Sequence, residues 1–200
     1  MQPLFTTIAD KLIQDGYIIL HDPIDKTLTQ KLYKRIDFLK DAEFSEANIG
    51  RGEQHHKNTT IRTDKTLWLE GKEETEQAYL KWMQELQSSL NRELYLGIHN
   101  FETHFAYYEK GTFYKKHSDV LKSGNPRILT TVFYLNKEWK KGDGGELLIY
   151  AEDEKTIIKT VEPKVGTMVI FLSDKFLHEV KVSNRDRYSI AGWFKGRSVL

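Results

Sequence analysis

The chain has 200 residues, 30 Lys and Arg against 29 Asp and Glu, a net charge of +1 and no cysteine. Near-neutrality leaves no overall field to draw nucleic acid or anionic lipid, so neither a nucleic-acid nor a membrane partner is expected. The missing cysteines exclude disulfide frameworks, thiolate nucleophiles, zinc ribbons and iron–sulfur clusters, so any metal must sit on nitrogen and oxygen.

The opening MQPLFTTIADKLIQD has neither the basic start nor the unbroken apolar run of a signal peptide. No later stretch approaches the ~18 apolar residues of a membrane span. A soluble, cytoplasmic, monomeric protein forming one domain over residues 1–200 is expected.

Residues 1–96 read as mainly helical support. FTTIADKLIQDG is closed by Gly16, the short apolar run YIIL follows, and TLTQKLYKRIDFLK spaces its apolar positions three and four apart. Within 73–94, Tyr79, Trp82, Met83, Leu86 and Leu90 form one stripe that must pack on an interior. Residues 43–65 are polar and aperiodic, and a loop of that length in a compact domain is either disordered or a functional lid. Its His55 and His56 lack an acid spaced to complete a metal site and are expected at the surface.

Residues 101–195 change rhythm to eight short β-rich runs: FETHFAYY, TFYKKHSD, RILTTVFYL, GELLIYA, KTIIKTVEP, GTMVIFL, HEVKVS and RYSIAGWF. They predict an antiparallel sandwich or barrel, with NKEWKKGDGG (136–145) as a hairpin connection. The fold class is α+β, a cupin-like jelly roll buttressed by the N-terminal helices.

In GTFYKKHSDV, His117 and Asp119 are two apart on a strand, so they share a face and can reach one point. The spacing alone is weak, since a chain with 7 histidines and this many acids yields about one His-x-Asp/Glu by chance. A third candidate, His178, sits where the buried run GTMVIFL leads into HEVKVS, and a jelly roll gathers such strand ends at one mouth. Two imidazoles and a carboxylate on one side of a metal leave open positions, as in non-haem Fe(II) oxygenases; zinc accepts the same ligands. Arg187 opens RYSIAGWF on the same face as Ser189 and Ala191. A guanidinium directed into a barrel requires an anion, either a barrel acid in a structural ion pair or a carboxylate ligand. Beside two histidines and an aspartate, the distal carboxylate of 2-oxoglutarate is the more economical partner, and it favours iron.

Beyond these residues, IRTDKTLWLEGKE (61–73), YLNKEW (134–139), GGELLIY (144–150), VEPKVGTMVIF (161–171), LSDKFLHEV (172–180) and RYSIAGWF (187–194) resemble, in order, the prolyl hydroxylase branch of the Fe(II)/2-oxoglutarate-dependent dioxygenases. That branch contains the hypoxia-inducible-factor prolyl hydroxylases. The resemblance implies a double-stranded β-helix with Fe(II) on His117, Asp119 and His178, and 2-oxoglutarate anchored by Arg187. It further implies that Tyr134 shares the distal carboxylate, that Tyr107 hydrogen-bonds the iron-chelating end, and that Tyr114 and Thr130 line the pocket. O2 is the second cosubstrate and ascorbate the reductant. Phe113 and Leu177 depart from the branch, where glycine and proline are usual, which bears on the peptide-binding surface.

The reaction implied is 4-hydroxylation of a prolyl residue in a protein, with 2-oxoglutarate converted to succinate and CO2; a translation elongation factor is a candidate target. Arg127, Trp193, Arg62 and Asp64 are the residues placed to touch it, the last two also compatible with solvated charges. Lys115, Lys116 and Lys122 read as solvated charges near the mouth. The alternatives are an oxygenase of a small molecule or another residue type, and a non-catalytic metal-binding β-barrel sensor module. Oxygen sensing through turnover is a further possibility.

Overall fold

The computed structural model describes residues 2–39, 44–46, 62–120 and 127–197; His55, His56 and Lys122 lie outside them. Three helices form where the apolar periodicity is helical: α1 (Gln2–Asp15), α2 (Lys26–Leu39) and α3 (Glu74–Leu94). Gly16, at φ 78°, ends α1 with its N–H on the Leu12 carbonyl, a left-handed closure that glycine adopts without Cβ strain. Asp25 starts α2 by accepting the Thr27 and Leu28 N–H groups at 2.8 and 3.3 Å. The α3 stripe is core, with Tyr79, Met83, Leu86 and Leu90 fully buried.

The eight β-rich runs are all strands: β4 (Asn100–Tyr108), β5 (Tyr114–His117), β6 (Arg127–Tyr134), β7 (Leu147–Tyr150), β8 (Ile157–Val161), β9 (Thr167–Leu172), β10 (His178–Val180) and β11 (Arg187–Lys195). The N-terminal half is less purely helical than its rhythm suggests. It adds β1 (Tyr17–His21), β2 (Ser45–Glu46) and β3 (Lys65–Trp68), the last two too short and polar to register as alternation. The larger sheet runs β1-β9-β6-β11-β4-β3-β2 and the smaller β5-β10-β7-β8. Both ends of the 43–65 stretch therefore belong to the sheet through the β2–β3 pairing rather than to a free lid.

Pleat alternation divides the larger sheet between two cores. Phe105, Tyr107, Leu129, Phe133, Met168, Ile190 and Phe194 pack outward against the helices. Ala106, Tyr108, Val132, Tyr134, Val169 and Phe171 face inward, against Leu147, Ile149 and Val180 of the smaller sheet. This is the helix-buttressed sandwich the sequence predicts, and no described helix is long and apolar enough to cross a membrane. Residues 136–145 do not make a hairpin, because β6 and β7 lie in different sheets. The segment crosses over instead, its Trp139 indole donating to the Gly144 carbonyl at 3.2 Å. β5 is an edge strand, and its outer side is met by Arg62, bridged to Tyr114, and by Thr63, whose N–H reaches the Phe113 carbonyl at 3.2 Å.

The crossover depends on glycine at one position above all. A Cβ on Gly144, at φ 72°, would lie 2.3 Å from the Val182 carbonyl oxygen, whereas one on Gly142, at φ 99°, would meet nothing within 4 Å. Gly144→Ala is expected to cost about 3 kcal/mol or more, combining backbone strain with overpacking against main chain, and Gly142→Ala about 1–2. Thermal unfolding of the two variants should show the larger Tm loss at Gly144.

Candidate active site

Antiparallel pairing of β10 with β5 sets His178 opposite His117, and Asp119 follows two residues beyond the end of β5. One ligand atom from each of the three lies within 4.8 Å of the others. The imidazole Nδ1 of His117 is 2.7 Å from the Lys115 carbonyl and that of His178 is 3.3 Å from the Phe176 carbonyl. A carbonyl only accepts, so each Nδ1 carries the proton and each Nε2 presents a lone pair. These nitrogens face the Asp119 carboxylate, His117 Nε2 3.7 Å from Oδ1 and His178 Nε2 3.5 Å from Oδ2. Lone pairs opposed to a carboxylate repel unless a cation lies among them, so the donor set fits a divalent metal. Tyr114 stacks on the His117 ring at 3.6 Å and Phe171 abuts His178 at 4.9 Å.

The electrostatics keep the ligands ready. Burial opposes ionisation of the Asp119 carboxyl, but the Thr130 hydroxyl donor and the nearby Arg127 guanidinium help hold its pKa below the usual carboxylate range. Burial, reinforced by His178, lowers the His117 pKa to about 3, against the pull of Asp119. Thr130 does not simply line a pocket: its Oγ1 donates to Asp119 Oδ2 at 2.6 Å and lies 2.9 Å from Ser173 Oγ.

On the same inner face, Arg187 is 1% exposed. Its Nε donates to the Gly145 carbonyl at 2.9 Å and its Nη1 to Ser189 Oγ at 3.3 Å, and among the described residues it has no carboxylate partner. The structural ion pair is thus absent from a position where a lone charge is costly. The guanidinium lies between the rings of Tyr108 and Tyr134, 4.7 and 5.1 Å from their centroids. The Tyr134 hydroxyl is buried beside this guanidinium; burial, partly offset by Arg187, raises its pKa to about 12, so it remains a donor. Tyr107 is not here. It points to the helix side, stacked on Tyr188 at 4.9 Å with its hydroxyl on Asp186 at 3.0 Å, because β4 alternation turns only one residue of the Tyr107-Tyr108 doublet inward. Tyr108 is that residue.

The four residues expected to meet a target divide into two groups. Arg62 and Asp64 form a two-point ion pair at 2.8 and 2.6 Å, with Asp64 buried and Arg62 lying 4.5 Å over the Tyr114 ring; they are not solvated charges. Arg127 covers the Trp193 ring at 3.6 Å, pairs with Glu102 at 3.0 Å and approaches Asp119 Oδ1 at 3.8 Å. Trp193 in turn contacts His104 at 5.3 Å, and His104 contacts the half-exposed Trp68 at 5.1 Å. A band of rings therefore crosses β3, β4 and β11 toward the metal ligands. Trp193 Nε1 and His104 Nδ1 within it are buried and unpartnered. Lys116 is tied to the Glu154 carbonyl at 2.8 Å, and Lys115 is exposed.

The sequence profile of the 2OG-Fe(II) oxygenase superfamily matches residues 103–195. A Pseudomonas putida prolyl-4-hydroxylase crystal structure superposes with a TM-score of 0.87 at 32% identity, covering 96% of this chain and 99% of that one. The chain belongs to the 2OG-Fe(II) oxygenase superfamily. Within this superfamily it is related to the Egl nine proteins: human Egl nine homolog 1 is 31% identical over 188 residues, 90% of this chain and 43% of the human protein. The chain spans about half the length of the Egl nine relatives it matches. A Trichoplax adhaerens prolyl hydroxylase, solved with a hypoxia-inducible-factor peptide fragment, shares the fold at TM-score 0.85 and 24% identity.

Membership of this 2OG-Fe(II) oxygenase superfamily implies Fe(II) and 2-oxoglutarate, and the site is chemically suited to both. The neutral Nε2 atoms with a lone carboxylate suit a hard-to-borderline cation. A buried guanidinium with no acid partner among the described residues, beside a phenol that can donate, suits a carboxylate. Sequence reasoning missed Tyr108, Ser173 and His104. The Tyr107-Tyr108 doublet signals that one ring points inward, but only the pairing of β4 with its neighbours selects Tyr108; the other two carry no local signal.

Burial, then the charges of Arg62 and Arg127, lower the His104 pKa to about 3. Because the folded value lies below the unfolded one of about 6.5, the unfolded chain binds more protons between these limits. Its neutral burial therefore contributes stability that is complete above about pH 6.5 and is lost as pH falls toward 3. The metal-free protein should lose Tm across that window, and His104→Phe should flatten the decline.

Proposed function

We propose that this protein is an Fe(II)- and 2-oxoglutarate-dependent dioxygenase that hydroxylates a prolyl residue of a protein substrate at C4, with 2-oxoglutarate converted to succinate and CO2. The observation that carries the reading is Arg187: a buried guanidinium with no acid partner among the described residues, beside the buried Tyr134 phenol, inside the same sandwich as the two-histidine, one-carboxylate set.

In this reading His117, Asp119 and His178 hold Fe(II), which together with 2-oxoglutarate and O2 supplies the oxidising chemistry. Arg187 takes the distal carboxylate of 2-oxoglutarate through its free N–H groups, and the Tyr134 hydroxyl donates to the same carboxylate. Tyr108 flanks the guanidinium on the opposite side from Tyr134. Val132, Val169, Phe171 and Ile149 keep the surroundings apolar, which strengthens the ionic contact and limits side reaction with water.

The finer assignment to proline rests on kinship with the Pseudomonas putida prolyl-4-hydroxylase and the Egl nine proteins, and on the ring band ending at Trp193 and Arg127. The peptide-bound Trichoplax relative supports a peptide as the substrate class. A translation elongation factor is the first target to test.

The test is turnover. With Fe(II), ascorbate and 2-oxoglutarate, the protein incubated in a cell lysate should add one oxygen to specific prolyl peptides by mass spectrometry and release succinate; no such peptide with unchanged succinate would defeat the proposal. His178→Ala should abolish succinate release. Arg187→Ala, which removes a charged partner from a desolvated carboxylate, should raise the apparent KM for 2-oxoglutarate by about 30-fold or more. An unchanged KM would return Arg187 to a purely structural role.

A further inference from the structure

Of the three presumed iron ligands, two are fixed by sheet hydrogen bonding and one is not. His117 ends β5 and His178 opens β10, paired with each other across the ladder. Asp119 lies past the end of β5, in a segment with no strand pairing. Its carboxylate must be oriented by side chains, and the structure supplies a buried relay. Asp119 Oδ2 can only accept, so at 2.6 Å it takes the single hydroxyl proton of Thr130. The contact between Thr130 Oγ1 and Ser173 Oγ at 2.9 Å then has one possible direction: Ser173 must donate to Thr130. Ser173, Thr130 and Asp119 are 0%, 2% and 5% exposed.

The relay is anchored at its far end. Ser173 follows β9, and its N–H donates to the Ile128 carbonyl at 3.0 Å, extending the β9–β6 ladder by one residue. Thr130 sits two residues further along β6, paired with Phe171 and Trp193 on either side. Ser173 also begins the turn that delivers His178. The hydroxyl pair therefore ties the unladdered ligand to the rigid centre of the larger sheet.

We infer that Ser173 is a positioning residue for the metal centre, acting through Thr130 to fix and polarise the Asp119 carboxylate. The inference rests on the metal-site reading of His117, Asp119 and His178. Loss of an outer hydrogen bond to a metal ligand typically weakens metal binding by about 10–100-fold, and a donor whose own oxygen accepts a second bond is strengthened.

Anaerobic titration of the metal-free, full-length protein with Co(II), followed by its visible d–d absorption, tests this without turnover. Ser173→Ala should weaken Co(II) binding by about 10-fold while the metal-free protein unfolds at nearly the wild-type temperature. Thr130→Val, isosteric but without the hydroxyl, should weaken it at least as much, and Thr130→Ser should restore it. The decisive variant is the double one: because Ser173 acts only through Thr130, Ser173→Ala should cost nothing further in the Thr130→Val background. Wild-type affinity in Ser173→Ala, or full additivity in the double variant, would overturn the relay. A wild-type protein that leaves Co(II) unbound would instead overturn the metal site, and the relay with it.

Discussion

A guanidinium sealed inside a sandwich, with no acid beside it among the described residues, is the constraint on which the arrangement turns. Isolating a full charge from water is costly unless something of opposite sign completes it. Here the described residues offer a backbone carbonyl, a serine oxygen and two tyrosine rings. Gly145 contributes through what it lacks as well, since a Cβ there would lie 2.9 Å from Arg187 Cδ. The fold keeps a carboxylate-shaped demand in its interior, next to a second demand for a cation made by His117, Asp119 and His178. Each requirement alone is awkward, and together they define a bidentate organic anion beside a metal.

The two sheets divide the labour. The smaller sheet fixes the imidazoles by direct cross-strand pairing, while the larger one carries Arg187, Tyr134 and the hydroxyls that steer Asp119. Asp119 stands at the junction, with Thr130 on one oxygen and Arg127 near the other. Arg127 is itself held by Glu102, which also receives Lys195 at 3.2 Å. Contact between the ring band and the metal ligands thus passes through a charged residue rather than through apolar packing alone.

Much of this was legible in the chain. The His117-x-Asp119 spacing, the strand end at His178 and a cation on an otherwise apolar strand at Arg187 all follow from pleat periodicity and the cost of buried charge. What was not legible has physical causes. The Tyr107-Tyr108 doublet announces that one ring points inward, but the register that selects it is set by β11 and β3 on either side. Arg62 and Asp64 look solvated in a polar stretch, and only the fold buries them as a pair. Ser173 is a serine among many until β9 and β6 bring it to Thr130. The β2–β3 pairing escaped because two polar residues opposite two others make no alternation.

The position of β5 has a consequence for how the molecule avoids its own kind. An outermost strand exposes a row of free amide and carbonyl groups, an open template for pairing with a neighbouring chain. In this protein that strand bears His117, so intermolecular docking along it would disturb a functional imidazole as well as invite fibril-like stacking. Arg62 and Thr63 occupy part of the vulnerable flank, and the adjacent Lys115 and Lys116 add charge on either face of the strand. Arg62 and Thr63 therefore cover part of an edge that would otherwise stand open to a neighbouring strand.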